Sequence, residues 1–88
     1  MGYSFELSPE AEEDLDKLDR AVAKRVIEKI QWFASQSDPL HFATILKNSR
    51  IGDIRFRIGD YRAIAVIDAS TQRIVIAAIG HRRDIYRN

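Results

Sequence analysis

The chain has 88 residues, with 14 Lys+Arg against 13 Asp+Glu and no cysteine. At this length a domain buries roughly 60% of the surface its unfolded chain exposes, and a 45% hydrophobic content is enough to build a core. The missing cysteines exclude a disulfide framework, a thiolate zinc site and a thiol nucleophile. No apolar run approaches the ~20 residues of a membrane helix, and Met1 to Glu6 lacks the basic-then-apolar order of a secretory signal. The expectation is a single domain over residues 1–88, in the cytoplasm and away from membranes.

Tyr3-Ser4-Phe5-Glu6-Leu7 alternates apolar and polar residues, which predicts a short strand. Ser8 and Pro9 form a helix start, with Ser as N-cap and Pro at the first helical position. Glu10, Glu12 and Glu13 then suit the positive end of the helix dipole. Ala11, Leu15 and Leu18 share a face of this helix, which is expected to end near Asp19.

A second helix is expected from about Arg20 to Ser35, capped by Asp19. Its stripe is Val22, Val26, Ile30 and Phe33, flanked by Ile27 and Ala34. The short connection favours an antiparallel helical hairpin. Ser37-Asp38-Pro39 breaks the pattern. Residues 40–53 carry no clear period, and Phe42, Ile45 and Leu46 are expected to anchor a short turn or helix to the core.

Ile54-Arg55-Phe56-Arg57-Ile58 alternates strictly and predicts a half-buried strand. Gly59-Asp60 is a tight-turn signal. Tyr61 to Asp68 is a longer, mostly apolar strand, hence central. Arg73 to Ile79 is a further strand, expected to end at Gly80. The predicted class is α+β: an N-terminal strand, a helical hairpin and a three-strand antiparallel meander, with the helices packed on one face of the sheet.

The near-zero net charge is an average over opposed regions. Residues 1–19 carry seven acids against one base, whereas residues 47–88 carry nine bases against four acids. Eight of those nine bases are arginines, whose planar fork suits phosphate. If Ile54, Phe56 and Ile58 face the helices, Arg55 and Arg57 face the other way. Those arginines either pair with carboxylates or water, or they clamp an anion. Arg62 opens the central strand and needs a fixed partner, with Asp60 or Asp84 the candidate for an ion pair. His81, Arg82, Arg83 and Tyr86 concentrate at the tail. They combine a group that titrates near neutrality, a phenol and fixed positive charge. Trp32 reads as packing or partner contact. His41 and His81 do not suggest a metal site, the serines lack a nucleophile elbow, and Gly52 and Gly59 are too isolated for a phosphate loop.

The run Tyr3 to Glu12, then Leu15-Asp16-Lys17-Leu18-Asp19, Arg55-Phe56-Arg57-Ile58-Gly59-Asp60-Tyr61-Arg62 and Gly80-His81-Arg82-Arg83-Asp84-Ile85-Tyr86 resembles the RelE/ParE toxin superfamily, its RelE-like branch most closely. The resemblance covers nearly the whole chain. It implies the toxin of a type II toxin-antitoxin system that cleaves mRNA in the ribosomal A site without metal or cofactor. The 2′-hydroxyl attacks the adjacent phosphate. It also implies an antitoxin that wraps the toxin, with operator DNA met only through that antitoxin.

Carried over by position, Arg55, Arg62, His81, Arg82 and Tyr86 are the catalytic candidates. Lys47, Arg50, Arg57, Arg83 and Arg87 are candidates for RNA phosphate binding. Asp53 falls where the resemblance leads one to expect a base. A carboxylate there cannot stabilise a dianionic transition state, so Arg57 or Lys47 substitutes, or cleavage is weak or absent. The ParE-like branch, which inhibits DNA gyrase, and a non-catalytic binding module are the competing expectations.

Overall fold

The computed structural model describes residues 2–85. The elements run β1 (Ser4–Leu7), α1 (Pro9–Asp16), α2 (Arg20–Ala34), a short 3₁₀ turn (Pro39–Phe42), β2 (Ala43–Ile45), β3 (Ile54–Ile58), β4 (Tyr61–Asp68) and β5 (Arg73–His81). The sheet has five strands in the order β1-β5-β4-β3-β2. β1 lies parallel to β5, and every other neighbouring pair is antiparallel. β1 and β5 are joined by no tight turn, since both helices and the other three strands lie between them in the chain, and so long a connection lets them pair in parallel.

The α1 start forms as its sequence predicts. The Ser8 hydroxyl accepts from the Ala11 amide at 3.0 Å, and Pro9 takes the first helical position. α1 also closes the outer edge of β5 beyond the reach of β1. The Ser8 amide donates to the Ile76 carbonyl, the Ser8 hydroxyl lies 3.3 Å from the Ala77 carbonyl, and the Asp14 carboxylate accepts from the Ile79 amide at 2.9 Å. These contacts sit beside a register shift, where Ile64 pairs with Ala78 but Ala65 pairs with Ile76. A bulge leaves backbone groups off the ladder, and α1 covers that edge.

One core joins the two layers. Ala11 and Leu15 of α1 and Val26, Ile30 and Phe33 of α2 pack on Ile54, Phe56, Ile58, Ala63, Ala65, Ile74, Ile76 and Ile79 of the sheet. Phe56 is its aromatic centre, with ring centroids 4.7 Å from Phe33 and 5.7 Å from Phe5. The helices therefore cover one face of a mostly antiparallel sheet, as the patterning predicts.

Three expectations need correction. Residues 43–45 form an edge strand on β3, so the antiparallel run has four strands and not three. Three residues are too few for a period to be read from sequence. Ile45 does not anchor to the core, being 74% exposed, whereas Phe42, 41% exposed, rests its ring on the core residue Phe33 with centroids 6.0 Å apart. Gly80 does not end the last strand, which pairs on through Gly80 with Arg62 and His81 with Tyr61.

Candidate nucleic-acid interface

Alternation along β3 buries Ile54, Phe56 and Ile58 against the helices and turns Arg55 and Arg57 to the opposite, open face. Directly opposite residues of an antiparallel pair share a face. Arg57 pairs with Arg62, and Arg55 pairs with Ile64. Three guanidinium side chains of two adjacent strands thus share one end of the open face. Beside them Ile64 is fully buried but stands apart from the main core. The loop between β2 and β3 covers it: a β-carbon added to Gly52 would fall 2.5 Å from the Ile64 methyl and 2.9 Å from the Ala65 carbonyl.

Backbone carbonyls of the adjacent hairpin hold Arg62. Its Nη1 donates to the Gly59 carbonyl at 2.9 Å and the Tyr61 carbonyl at 2.8 Å. The first carbonyl belongs to the two-residue turn Gly59-Asp60, and Tyr61 is the strand residue that follows it. Gly59 has φ +59°, the left-handed value that the first central position of a type II′ turn demands. Arg82 flanks the same turn. Its amide donates to the Asp60 carbonyl at 2.8 Å, and its Nε lies 3.9 Å from the Asp60 carboxylate. Both side chains are more than half exposed, so water screens that pair and the guanidinium stays available.

The tail folds back over this end of the sheet. The Asp84 and Ile85 amides both donate to the His81 carbonyl. Gly80 shares the open face with Arg62, and its missing β-carbon is the space that Ile85 fills. A β-carbon there would stand 3.1 Å from the Ile85 terminal methyl. Tyr86 and Arg87 lie outside the described residues.

His81 is placed apart from the arginines. It pairs with Tyr61 on the helix side, their rings 5.4 Å apart and edge-to-face. Its Nδ1 accepts from the Arg83 amide at 3.1 Å, which assigns the proton of the neutral ring to Nε2. Arg83 is exposed within the tail turn. Lys47 and Arg50 are exposed on the loop at the far end of β3, where the Leu46 amide meets the Asp53 carbonyl. Asp53 is structural. Its carboxylate accepts from the Ile67 amide at 2.9 Å, and its amide donates to the Ala65 carbonyl.

The opposite end of the open face is neutralised. Arg73 forms two parallel hydrogen bonds with Glu6, at 2.6 and 2.9 Å. The hydrogen bond from Arg73 holds the Glu6 carboxyl below the usual carboxylate range, and Glu6 in turn raises Arg73. Hydrogen bonds from Ser70 and Thr71 lower Asp68. The open face is therefore polarised, with basic charge at the Arg55–Arg57–Arg62 end. The turn at Gly59 is as the sequence predicts, but the hold of its carbonyl on Arg62 and the packing of Ile85 on Gly80 escaped sequence reasoning. Among the described residues, no three His, Asp or Glu side chains come together as a metal site would need. No helix there is long and apolar enough to cross a membrane.

The family model for the ParE toxin of the type II toxin-antitoxin system, parDE, matches residues 5–86. Toxin RelG of Mycobacterium tuberculosis is 32% identical over 87 residues, covering 99% of each chain. The crystal structure of the toxin-antitoxin complex RelBE2 from the same organism contains a chain that superposes with a TM-score of 0.80 at 26% identity, covering 93% of this chain and 100% of that one. The archaeal RelE-RelB complex from Pyrococcus horikoshii OT3 shares the fold, with a TM-score of 0.71 at 24% identity over 96% of this chain and 99% of that one. The family match over residues 5–86 and the 32% identity to a toxin over nearly the whole of both chains, on a shared α+β fold, thus place the chain in the ParE toxin family of type II toxin-antitoxin systems, within the RelE/ParE superfamily.

Proposed function

We propose that this toxin is an mRNA endoribonuclease acting in the ribosomal A site, without a metal or other cofactor. The observation that carries the proposal is the register that sets Arg62 opposite Arg57 and beside Arg55 on the open face. In the reaction the RNA 2′-oxygen bonds to the adjacent phosphorus while the bond from phosphorus to the 5′-oxygen breaks. The 2′-hydroxyl proton passes to a base, the leaving oxygen takes up a proton, and a 2′,3′-cyclic phosphate remains. Negative charge grows on the phosphoryl oxygens, and fixed cations aimed there lower the barrier. Arg55, Arg62 and Arg82 supply that charge. Ile85 reaches the open face at Gly80, and Tyr86, next in sequence, is assigned to proton transfer. His81 lies on the helix side with Tyr61, apart from that charge, and takes no part in this reading.

The partner proposed to silence it is an antitoxin with an acidic, amphipathic segment. The RelBE2 and RelE-RelB neighbours were each solved as toxin-antitoxin complexes. Here Trp32, Phe42, Ile45 and Val66 expose apolar surface that such a segment would cover. Operator DNA is reached only through the antitoxin.

The deciding experiment incubates purified toxin with translating ribosomes and mRNA, with naked mRNA, and with gyrase and supercoiled plasmid. Cleavage confined to the ribosome arm is expected, falling roughly 10–1000-fold in Arg62→Ala by analogy with lost oxyanion donors, and falling also in Tyr86→Phe. Unchanged cleavage in both variants would remove the assignment. The ParE family match favours a second reading, inhibition of DNA gyrase. Blocked supercoiling with intact mRNA would establish it.

A further inference from the structure

We propose that His81 is a proton-gated clasp on the C-terminal tail: its neutral imidazole holds the turn that follows β5, and protonation of the ring releases that turn. The proposal goes beyond the ribonuclease reading and stands whether or not the toxin cuts RNA.

Three consecutive amides of the tail hang on this one residue. The Asp84 and Ile85 amides donate to the His81 carbonyl at 2.8 and 3.0 Å, and the Arg83 amide donates to the ring Nδ1 at 3.1 Å. The Arg82 amide goes to the Asp60 carbonyl. The turn is thus closed by backbone acceptors and by one side-chain acceptor, and that side chain is titratable.

Tyr61 steadies the ring from the neighbouring strand. The two residues are cross-strand partners, with ring centroids 5.4 Å apart and planes at 80°. A neutral imidazole with its proton on Nε2 accepts at Nδ1, whereas an imidazolium is a donor at both nitrogens. Protonation therefore sets one N–H against another at Arg83. Histidine changes charge between about pH 5 and 8.

The surroundings offer the charged ring no replacement bond. Tyr61 lies on β4 and Asp60 in the hairpin turn, and Arg25 of α2 lines the same cleft as those two. Asp14 of α1 is engaged by the Ile79 amide. Arg82, Arg83 and Asp84 are exposed in the tail itself, and Asp60 faces Arg82 at 3.9 Å. Among the described residues no carboxylate pairs with the His81 ring. Losing the Arg83 amide loosens the turn that seats Ile85 against Gly80.

The test follows the full chain by NMR from about pH 8 to about pH 5. It reads the contact between the Ile85 δ-methyl and the Gly80 α-protons, with the Ile74 methyl reporting on the core. In wild type the contact is expected at the upper pH and lost at the lower, with Ile74 unmoved. His81→Asn supplies an acceptor that bonds the amide two residues on and does not titrate, so the contact is expected to persist at both. His81→Ala is expected to lack it at both. His41→Asn removes the other histidine and is expected to follow wild type. The proposal is overturned by a wild-type contact that survives at the lower pH or vanishes only together with the Ile74 signal. It is overturned equally by His81→Asn lacking the contact or losing it on acidification, by His81→Ala keeping it, or by His41→Asn abolishing the response.

The mRNA cleavage assay decides the ribonuclease reading separately. A pH-gated contact in a protein that leaves mRNA intact keeps the clasp and rejects the ribonuclease. Cleavage with a contact blind to pH does the reverse.

Discussion

The Asp53 carboxylate accepts a hydrogen bond from the Ile67 amide, 14 residues away on the neighbouring strand, at 2.9 Å. β3 begins at Ile54, so Asp53 extends its grip on β4 by one side chain. An acid at this position is therefore part of the sheet. Asp53→Ala leaves that amide to water and is expected to cost about 1 kcal/mol, read as a lower urea midpoint with an unchanged m-value. RNA binding should stay intact. Weaker RNA binding at unchanged stability would return Asp53 to the site.

Gly59 links turn geometry to the site. Its φ of +59° is a left-handed conformation, and a β-carbon there would meet nothing within 4 Å. The penalty for Gly59→Ala is thus one of backbone conformation alone, about 1–2 kcal/mol. Because the Gly59 carbonyl also holds Arg62, the variant is expected to weaken RNA binding as well. Loss of stability with unaltered affinity would uncouple the two.

Gly80 makes room for the tail. Its β-carbon position is 3.1 Å from the Ile85 methyl, so a branched residue there displaces Ile85 rather than the sheet. Gly80→Val is expected to lower cleavage with little change in melting temperature, since the displaced residues follow the last strand. Full activity in this variant would show that the placement of the tail is immaterial.

Asp14 tests how far α1 guards the β5 edge. Its carboxylate takes the Ile79 amide next to the bulge. Asp14→Ala is expected to destabilise by about 1–3 kcal/mol, as a half-buried donor loses a charged acceptor. Hydrogen exchange at the Ile79 amide should quicken more than at Ile74. Uniform exchange along β5 would contradict this.

The Glu6–Arg73 pair carries a pH signature. Glu6 titrates below its usual 4.5 because Arg73 hydrogen-bonds its charged form. A depressed folded-state pKa stabilises above the unfolded value, and that stabilisation is lost as pH falls through the folded value. Melting temperature should therefore fall more steeply in wild type than in Glu6→Gln as pH drops below about 4.5. Both groups are exposed, so the difference is small and shrinks with salt. Parallel curves would exclude the linkage.

Local features of the chain were enough for much of this molecule. Ser8-Pro9 announced α1, the spacing of Val22, Val26, Ile30 and Phe33 announced α2, and the alternation from Ile54 to Ile58 announced which arginines leave the core. Each depends on neighbours within a few residues, and caps and periods are properties of that range. Ala43 to Ile45 became a strand only because the β3 edge was there to pair with. Asp53 became structural only because Ile67 was brought beside it. His81 was grouped with the arginines along the chain, yet β5 pairing carries it to the helix side with Tyr61. The meeting of Arg57 with Arg62 likewise depends on hairpin register, and a one-residue slip would have sent one of them to the other face. Pairing register is a long-range property, and it separates a chain that is merely rich in arginine from one whose arginines meet on a single face.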